Sequence, residues 1–195
     1  MDVSVMIENI KFNYRVATII KNGDKILLHK SKKDDFFAIP GGRIMIGEDS
    51  ETALKREFLE EMGADIFIKK YLGTIENFFE YNGKKYHELM IVYEAEFEKE
   101  SDKYDMDKIV GLEENGKIEF IWKTIDQIKE LDLKPKFLKD SLINKKDILH
   151  LINKTYGNKE SLMNKEELLK LLESLKLPKN EYYILGGGSL VMFRD

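Results

Sequence analysis

Residues 42–64 read GRIMIGEDSETALKREFLEEMGA. Working from the inside of this stretch outward, Leu54, Phe58 and Met62 recur at intervals of four and form one apolar stripe of a helix. Glu57, Glu60 and Glu61 stand at i, i+3 and i+4, so their side chains share another face. Asp49 or Ser50 can cap the N-terminus, and Glu51 in the first turn suits the positive end of the helix dipole. Gly63 falls where a helix C-terminus favours a left-handed residue. The spacing therefore predicts a helix over Ser50–Met62, entered from a turn at Pro40-Gly41-Gly42.

Three carboxylates on one helix face repel one another unless a cation neutralises them. Oxygen donors at this density suit a hard divalent ion such as Mg²⁺, with Mn²⁺ as the alternative. Such an ion can bridge phosphate oxygens and acidify a bound water. Arg56 lies beside the carboxylates, is always charged, and can hold a carboxylate through two parallel hydrogen bonds. Glu48 is the obvious partner.

Taken together, Gly42, Glu48, Arg56, Glu57, Phe58, Glu60, Glu61 and Gly63 stand at the spacing G-x5-E-x7-R-E-U-x-E-E-x-G, where U is bulky and apolar. A chance match in a chain of this length is on the order of one in a million from average residue usage. The stretch resembles the signature of the Nudix hydrolases, which cleave a nucleoside diphosphate linked to another group X. One position departs: Ala64 stands where the family usually has Ile, Leu or Val, which concerns packing rather than chemistry. The resemblance covers about residues 10–145.

The resemblance implies a mixed β-sheet sandwiched between α-helices, an α/β fold. It implies that Glu57, Glu60 and Glu61 are metal ligands, with the Gly41 or Gly42 carbonyl completing the shell, and that Glu61 orients the attacking water. A downstream acidic residue often joins the site; Glu113 and Glu114 are the best candidates, Glu119 and Glu88 weaker ones. Catalytic residues are thus expected among Glu48, Arg56, Glu57, Glu61 and Glu114. Arg15 and Arg43 are candidates for substrate binding, Arg15 through phosphate, and Phe37, Phe79 and Tyr81, with Phe36 and Phe78 beside them, for stacking on a base. Relatives that act on ADP-ribose often carry a proline about fifteen residues past the signature, and the three prolines here, Pro40, Pro135 and Pro178, do not supply it. A tyrosine near that distance, as Tyr81 is, is associated with dinucleoside polyphosphate hydrolases. A sensor domain that binds such a compound without cleaving it is the second reading, but sensors usually lose one or more of these glutamates, and all are kept.

Composition agrees with one principal domain. The chain has 195 residues, 43% of them apolar, and a formal net charge of −4. That balance argues against a nucleic-acid binder, and the lysines form no basic block. The absence of cysteine excludes disulfides, thiolate catalysis and cysteine zinc sites. No basic region followed by an apolar run opens the chain, and no stretch is apolar enough to span a bilayer, so a cytoplasmic protein with a nucleotide-type small-molecule substrate is expected.

Around the signature, residues 14–20 and 25–29 predict a hairpin turned at Asn22-Gly23-Asp24, and Phe36–Ile39 a short strand. Residues 66–78, interrupted at Gly73, and 86–97 predict two strands joined at Asn82-Gly83. Ile118–Lys123 predicts a strand, and Thr124–Leu131 and Pro135–Asn144 two helices. These elements place the catalytic domain at residues 1–150. Residues 151–195 form a C-terminal extension. Its Asn164–Leu175 predicts an amphipathic helix, and its strand-like YYIL, Gly186-Gly187-Gly188-Ser189 turn and apolar helix start resemble the opening of a nucleotidyltransferase domain. The paired aspartates such a domain needs do not follow, so no transferase activity is inferred.

Overall fold

The helix carrying the carboxylates, α1, spans Ser50–Met62. Asp49 is its cap: the Asp49 carboxylate accepts from the backbone N–H groups of Glu51 and Thr52 at 3.0 and 2.9 Å. At the other end Gly63 is left-handed (φ 60°), and its N–H returns to the Leu59 carbonyl. Ala53, Leu54, Phe58 and Met62 are buried along the apolar stripe. The computed structural model describes residues 1–112, 117–144 and 146–155, and the backbone of 184–186 and 189–191.

The strands are β1 (Ser4–Ile7), β2 (Ile10–Asn22), β3 (Lys25–Ser31), β4 (Phe37–Ala38), β5 (Gly41–Arg43), β6 (Ile66–Tyr81), β7 (Lys84–Phe97), β8 (Lys108–Val110), β9 (Ile118–Thr124), β10 (Leu133–Lys134) and β11 (Leu149–Lys154). Two further helices are α2 (Ile125–Glu130) and α3 (Lys136–Asn144). The long strand β2 organises them. One edge of β2 runs parallel to β7, and the other pairs in turn with β1, β5 and the start of β3. Beyond β7 the order continues through β6 to β11; beyond β3 it continues to β4 and β9.

Alternation along β2 and β7 builds two cores, because successive side chains in a strand point to opposite faces. Val16 and Ile20 of β2 and Tyr93 of β7 pack with Leu54, Phe58 and Met62 of α1, and with Phe97, Phe120 and Trp122. Ala17 and Ile19 of β2 and Val92 of β7 pack on the other side with Ile128 of α2 and Leu138 and Leu142 of α3. The sheet is thus covered by α1 on one face and by α2 and α3 on the other, an α/β layered fold.

The expected elements are present, and several are longer because pairing extends them. Gly73 does not interrupt β6; the strand continues through register shifts at Ile68/Lys70 and Tyr71/Gly73. Thr124 caps α2 in a full capping box with Gln127. Strands β1, β5, β8, β10 and β11 have no clear signal in the sequence. The chain divides into two units, Met1–Tyr156 and Gly157–Asp195, so the first runs past the boundary expected at 150, because β11 joins β6 as a parallel strand. In the second unit, Ile184–Gly186 and Ser189–Val191 pair antiparallel. Leu190 and Val191, expected to begin a helix after the turn, belong instead to a strand, in register with Leu185 and Ile184. The helix expected at Asn164–Leu175 lies outside the described residues.

Phe58 is fully buried and meets Phe97 with ring centroids 5.9 Å apart. Phe58→Ala is expected to lower the free energy of unfolding by about 3–5 kcal/mol, measured by urea denaturation.

Candidate active site

Arg56 is the hub of the signature. Its Nε donates to Glu48 Oε1 at 2.8 Å and its Nη2 to Glu48 Oε2 at 2.9 Å, the fork-to-fork pairing expected from the sequence. Nη2 also donates to the Arg43 carbonyl at 2.9 Å. Nη1 donates to Glu57 Oε1 at 2.8 Å and Glu60 Oε2 at 2.9 Å. One guanidinium therefore binds the loop after β5 to α1 and gathers three carboxylates. The pairing pushes Arg56 further up from its already high pKa, and holds the Glu48 carboxyl below its ordinary range. Glu48 also accepts from the Met45 N–H at 2.9 Å, which folds the loop back on itself.

Glu57 differs. Burial raises its pKa, and the Arg56 contact offsets this only in part. Its carboxylate lies against Gly42: a Cβ on Gly42 would stand 1.9 Å from the Glu57 carboxyl carbon. The second glycine of the turn is thus the space into which Glu57 fits. The first serves the sheet. Gly41 has φ 151°, and a Cβ there would meet the Val16 carbonyl at 2.1 Å, where β5 pairs with β2. Glu61 is buried (9% exposed), and its backbone carbonyl accepts from the Leu112 N–H at 2.8 Å. Glu60 is the more exposed of the three. Among the described residues no three acidic or imidazole side chains converge in a ready-made cation cage. The donor chemistry nevertheless fits a hard cation: Glu57, Glu60 and Glu61 follow one another around α1, and the Gly42 backbone adjoins Glu57.

Beside the signature, a cavity of about 570 Å³ opens on the α3 side of the sheet. Arg15, Arg43, Phe36, Phe79, Tyr81 and Glu88 all line it. Arg15 bridges the two regions: its Nη2 donates to the Gly41 carbonyl at 3.5 Å, its Nη1 stands 4.0 Å from Glu88, and its charge lowers the pKa of Glu57. Among the described residues, buried Arg15 Nε, Arg43 Nε and His29 Nδ1 have no hydrogen-bond partner, and all three residues line this cavity. Phe37, expected at the substrate, stands outside the lining and packs into the second core beneath Lys30 and Lys123. It neighbours Phe36 in sequence, and strand alternation sends the two side chains apart. Phe78 stacks on His87 at 4.2 Å, on the sheet face opposite Glu88. Glu119 pairs with Lys108. Glu113 and Glu114 lie outside the described residues.

Sequence reasoning missed Asn13, His29, Asn77 and Asn153 in the cavity wall. A signal existed in the alternation N-x-R-x-A in β2 and N-x-F-x-Y in β6, which sets polar and aromatic residues on one face.

Residues 11–142 match the family model described as the NUDIX domain. The chain belongs to the Nudix family. Over 62 residues it is 45% identical to an ADP-ribose pyrophosphatase from Methanocaldococcus jannaschii, a stretch covering 30% of this chain and 37% of that protein. The chain thus matches little more than a third of that relative's length. Among solved structures, the MutT protein from Methanosarcina mazei Go1 superposes with a TM-score of 0.51 at 19% identity, over 72% of this chain and 95% of that one. The MutT NUDIX hydrolase from Burkholderia pseudomallei gives 0.51 at 21% identity, over 68% and 98%. At such identities the likeness concerns the fold, and it is the fold described above for this Nudix chain.

His29 supplies a pH dependence. Burial, and then the positive charge of Arg15, lowers its pKa from 6.5 to about 4. Between these values the unfolded chain binds the proton and the folded one does not, so stability is full above pH 6.5 and falls as pH drops towards 4. His29→Gln is expected to flatten the melting temperature over this window relative to the unaltered chain, with the difference levelling off below pH 4. Thermal melts across a pH series check it.

Proposed function

We propose that this protein is a Mg²⁺-dependent pyrophosphohydrolase that cleaves the pyrophosphate linkage of a nucleotide or of a nucleoside diphosphate joined to another group. The observation that carries the reading is the intact set of Glu48, Arg56, Glu57, Glu60 and Glu61 on one helix and loop, with Glu48, Glu57 and Glu60 gathered by a single guanidinium, in a chain of the Nudix family. The 45% identity to an ADP-ribose pyrophosphatase over the matched stretch supports the same class of reaction. The catalytic unit is read as the domain containing the signature, and residues 157–195 as an extension to it.

Glu57, Glu60 and Glu61 would hold the cation, with a carbonyl of Gly41 or Gly42. When bound, a hard divalent ion supplies charge neutralisation at the phosphate oxygens and a more acidic water. Glu57 and Glu60 face Arg56 Nη1; if they held the ion they would give up these contacts, and the Glu48 pair would keep Arg56 in place. Glu61, buried in the helix face, orients the attacking water. Arg15 and Arg43 line the cavity, and their guanidinium charges would neutralise the substrate's phosphates from that side. Attack in line with the leaving oxygen yields two phosphorylated products, a nucleoside monophosphate among them. Most of the rate enhancement comes from positioning and charge neutralisation.

The test is a substrate panel in Mg²⁺: nucleoside triphosphates, ADP-ribose, nucleotide sugars, NADH and dinucleoside polyphosphates, with phosphate products counted. Glu57→Gln and Glu61→Gln are each expected to lower kcat by about 100- to 1,000-fold. Gly42→Ala is expected to fold, because the group it displaces is the flexible end of Glu57, yet to lose activity on a comparable scale. No turnover on any compound, with Mg²⁺ still bound, would assign the chain instead to ligand sensing.

Glu48→Gln tests the loop anchor. It breaks one charge-assisted bond to Arg56 and is expected to lower stability by roughly 1 kcal/mol at neutral pH. Because Glu48 is held below its ordinary pKa, that contribution is present above about pH 4.5 and is lost as pH falls through the depressed value. Urea denaturation at two pH values measures it.

A further inference from the structure

The cavity floor carries a row of polar side chains that the reaction does not use. The pairing of four strands sets Asn13, Glu88, Asn77 and Asn153 side by side across the sheet: Asn13 opposite Glu88, Glu88 opposite Asn77, and Asn77 opposite Asn153. All four line the cavity. Asn13, Asn77 and Glu88 are 2%, 6% and 7% exposed, far below what surface residues of these types show.

The hydrogen bonds in this row have one direction. Asn153 Nδ2 donates to Asn77 Oδ1 at 2.6 Å, and Asn77 Nδ2 donates to Glu88 Oε2 at 3.5 Å. From the other side, Ser4 Oγ donates to Asn13 Oδ1 at 2.8 Å, and Asn13 Nδ2 donates to Glu88 Oε1 at 3.2 Å. With both amide oxygens occupied, both amide NH₂ groups are aimed at Glu88. The carboxylate is the sink of the row, and its two amide contacts are long. Arg15 at 4.0 Å is beyond hydrogen-bond distance. A carboxylate has about four acceptor positions. One on each oxygen is used by an amide, which leaves one on each for a ligand.

We propose that Glu88 is the base-reading residue of this site, its carboxylate accepting two parallel N–H groups from a guanine-type base. This rests on the reading of the protein as a nucleotide hydrolase. A carboxylate with one acceptor free on each oxygen matches an edge with two adjacent donors, and guanine presents N1–H beside its 2-amino group. Hypoxanthine keeps only the first. Adenine turns an unprotonated ring nitrogen towards the carboxylate, a lone pair against a negative charge. The aromatic rings of Phe36, Phe79, Tyr81 and Tyr86 line the same cavity, which favours a flat ring over a sugar as the occupant. Phe79 and Tyr86 stack on each other at 4.9 Å with planes 7° apart, a rigid aromatic wall one row from Glu88. Arg15 lies between Glu88 and the signature, so a base on Glu88 sends its phosphates towards Arg15 and the carboxylates of α1.

The experiment is calorimetric binding of GMP, IMP and AMP to the full chain, unaltered and as Glu88→Gln, with thermal melts to show that the variant folds. The unaltered chain is expected to bind GMP about 10-fold or more tighter than IMP, and AMP most weakly. In Glu88→Gln the GMP-to-AMP ratio collapses to below about threefold. A Glu88 that only supports the fold would instead lower all three affinities together. Equal affinities in the unaltered chain, a ratio that survives in Glu88→Gln, or no binding of any of the three overturns the proposal, as does affinity that follows the ribose hydroxyls in 2′,3′-dideoxy analogues rather than the base. The two readings fail separately. Guanine-selective binding without turnover removes the hydrolase and keeps the base reader; turnover indifferent to the base does the reverse.

Discussion

A buried or half-buried carboxylate is costly unless a positive group meets it, and this chain places three of them, Glu48, Glu57 and Glu61, within fourteen residues, with the exposed Glu60 among them. The Arg56 guanidinium makes the arrangement tenable. It meets Glu48 through two parallel bonds, spans Glu57 and Glu60 through a third nitrogen, and ties in the Arg43 carbonyl of the loop. Lysine could not replace it, because an ammonium lacks the planar fork that serves the loop and the helix together. The path of residues 43–48 and the orientation of α1 on β5 both follow from this contact.

From that anchor the site extends in two directions with different physics. Towards α1 it is carboxylate-rich, and Glu57 sits in the space left by the side chain that Gly42 lacks. Burial raises the pKa of Glu57, so its negative charge is disfavoured there, and a bound cation would relieve it. Towards α3 the cavity is donor-rich. Arg15 and Arg43 line it, and guanidinium groups of this kind are matched by an acceptor-rich ligand such as a phosphate chain. Arg15 touches both regions and couples them.

Much of the fold was legible because the sequence carries local signals with local causes. Gly63 and the spacing of Leu54, Phe58 and Met62 marked α1, and the structure chose Asp49 over Ser50 as its cap. Asn22-Gly23 and Asn82-Gly83 marked both hairpins, and the helix expected over Thr124–Leu131 is α2. Strand β11 was not legible: LHLINK has little alternation, and it is a strand because β6 offers it a free edge. Phe37 was read towards the substrate from its neighbourhood in the chain, and the pleat of β4 turns it into the core instead.

The sequence by itself determined the arrangement of the proposed catalytic centre. Its residues lie within one helix and the loop before it, where 3.6-residue periodicity and backbone reach fix which side chains meet. The carboxylate face of α1, the pairing of Arg56 with Glu48 and the membership of the Nudix family all follow from residues 42–64. Only the tertiary structure decided what surrounds that centre. Asn13, Asn77, Glu88 and Asn153 are up to 140 residues apart in the chain and become neighbours through the registers of three strand pairs. A shift of one residue in any of those registers would turn a side chain to the opposite face, so no local pattern could have assembled the row.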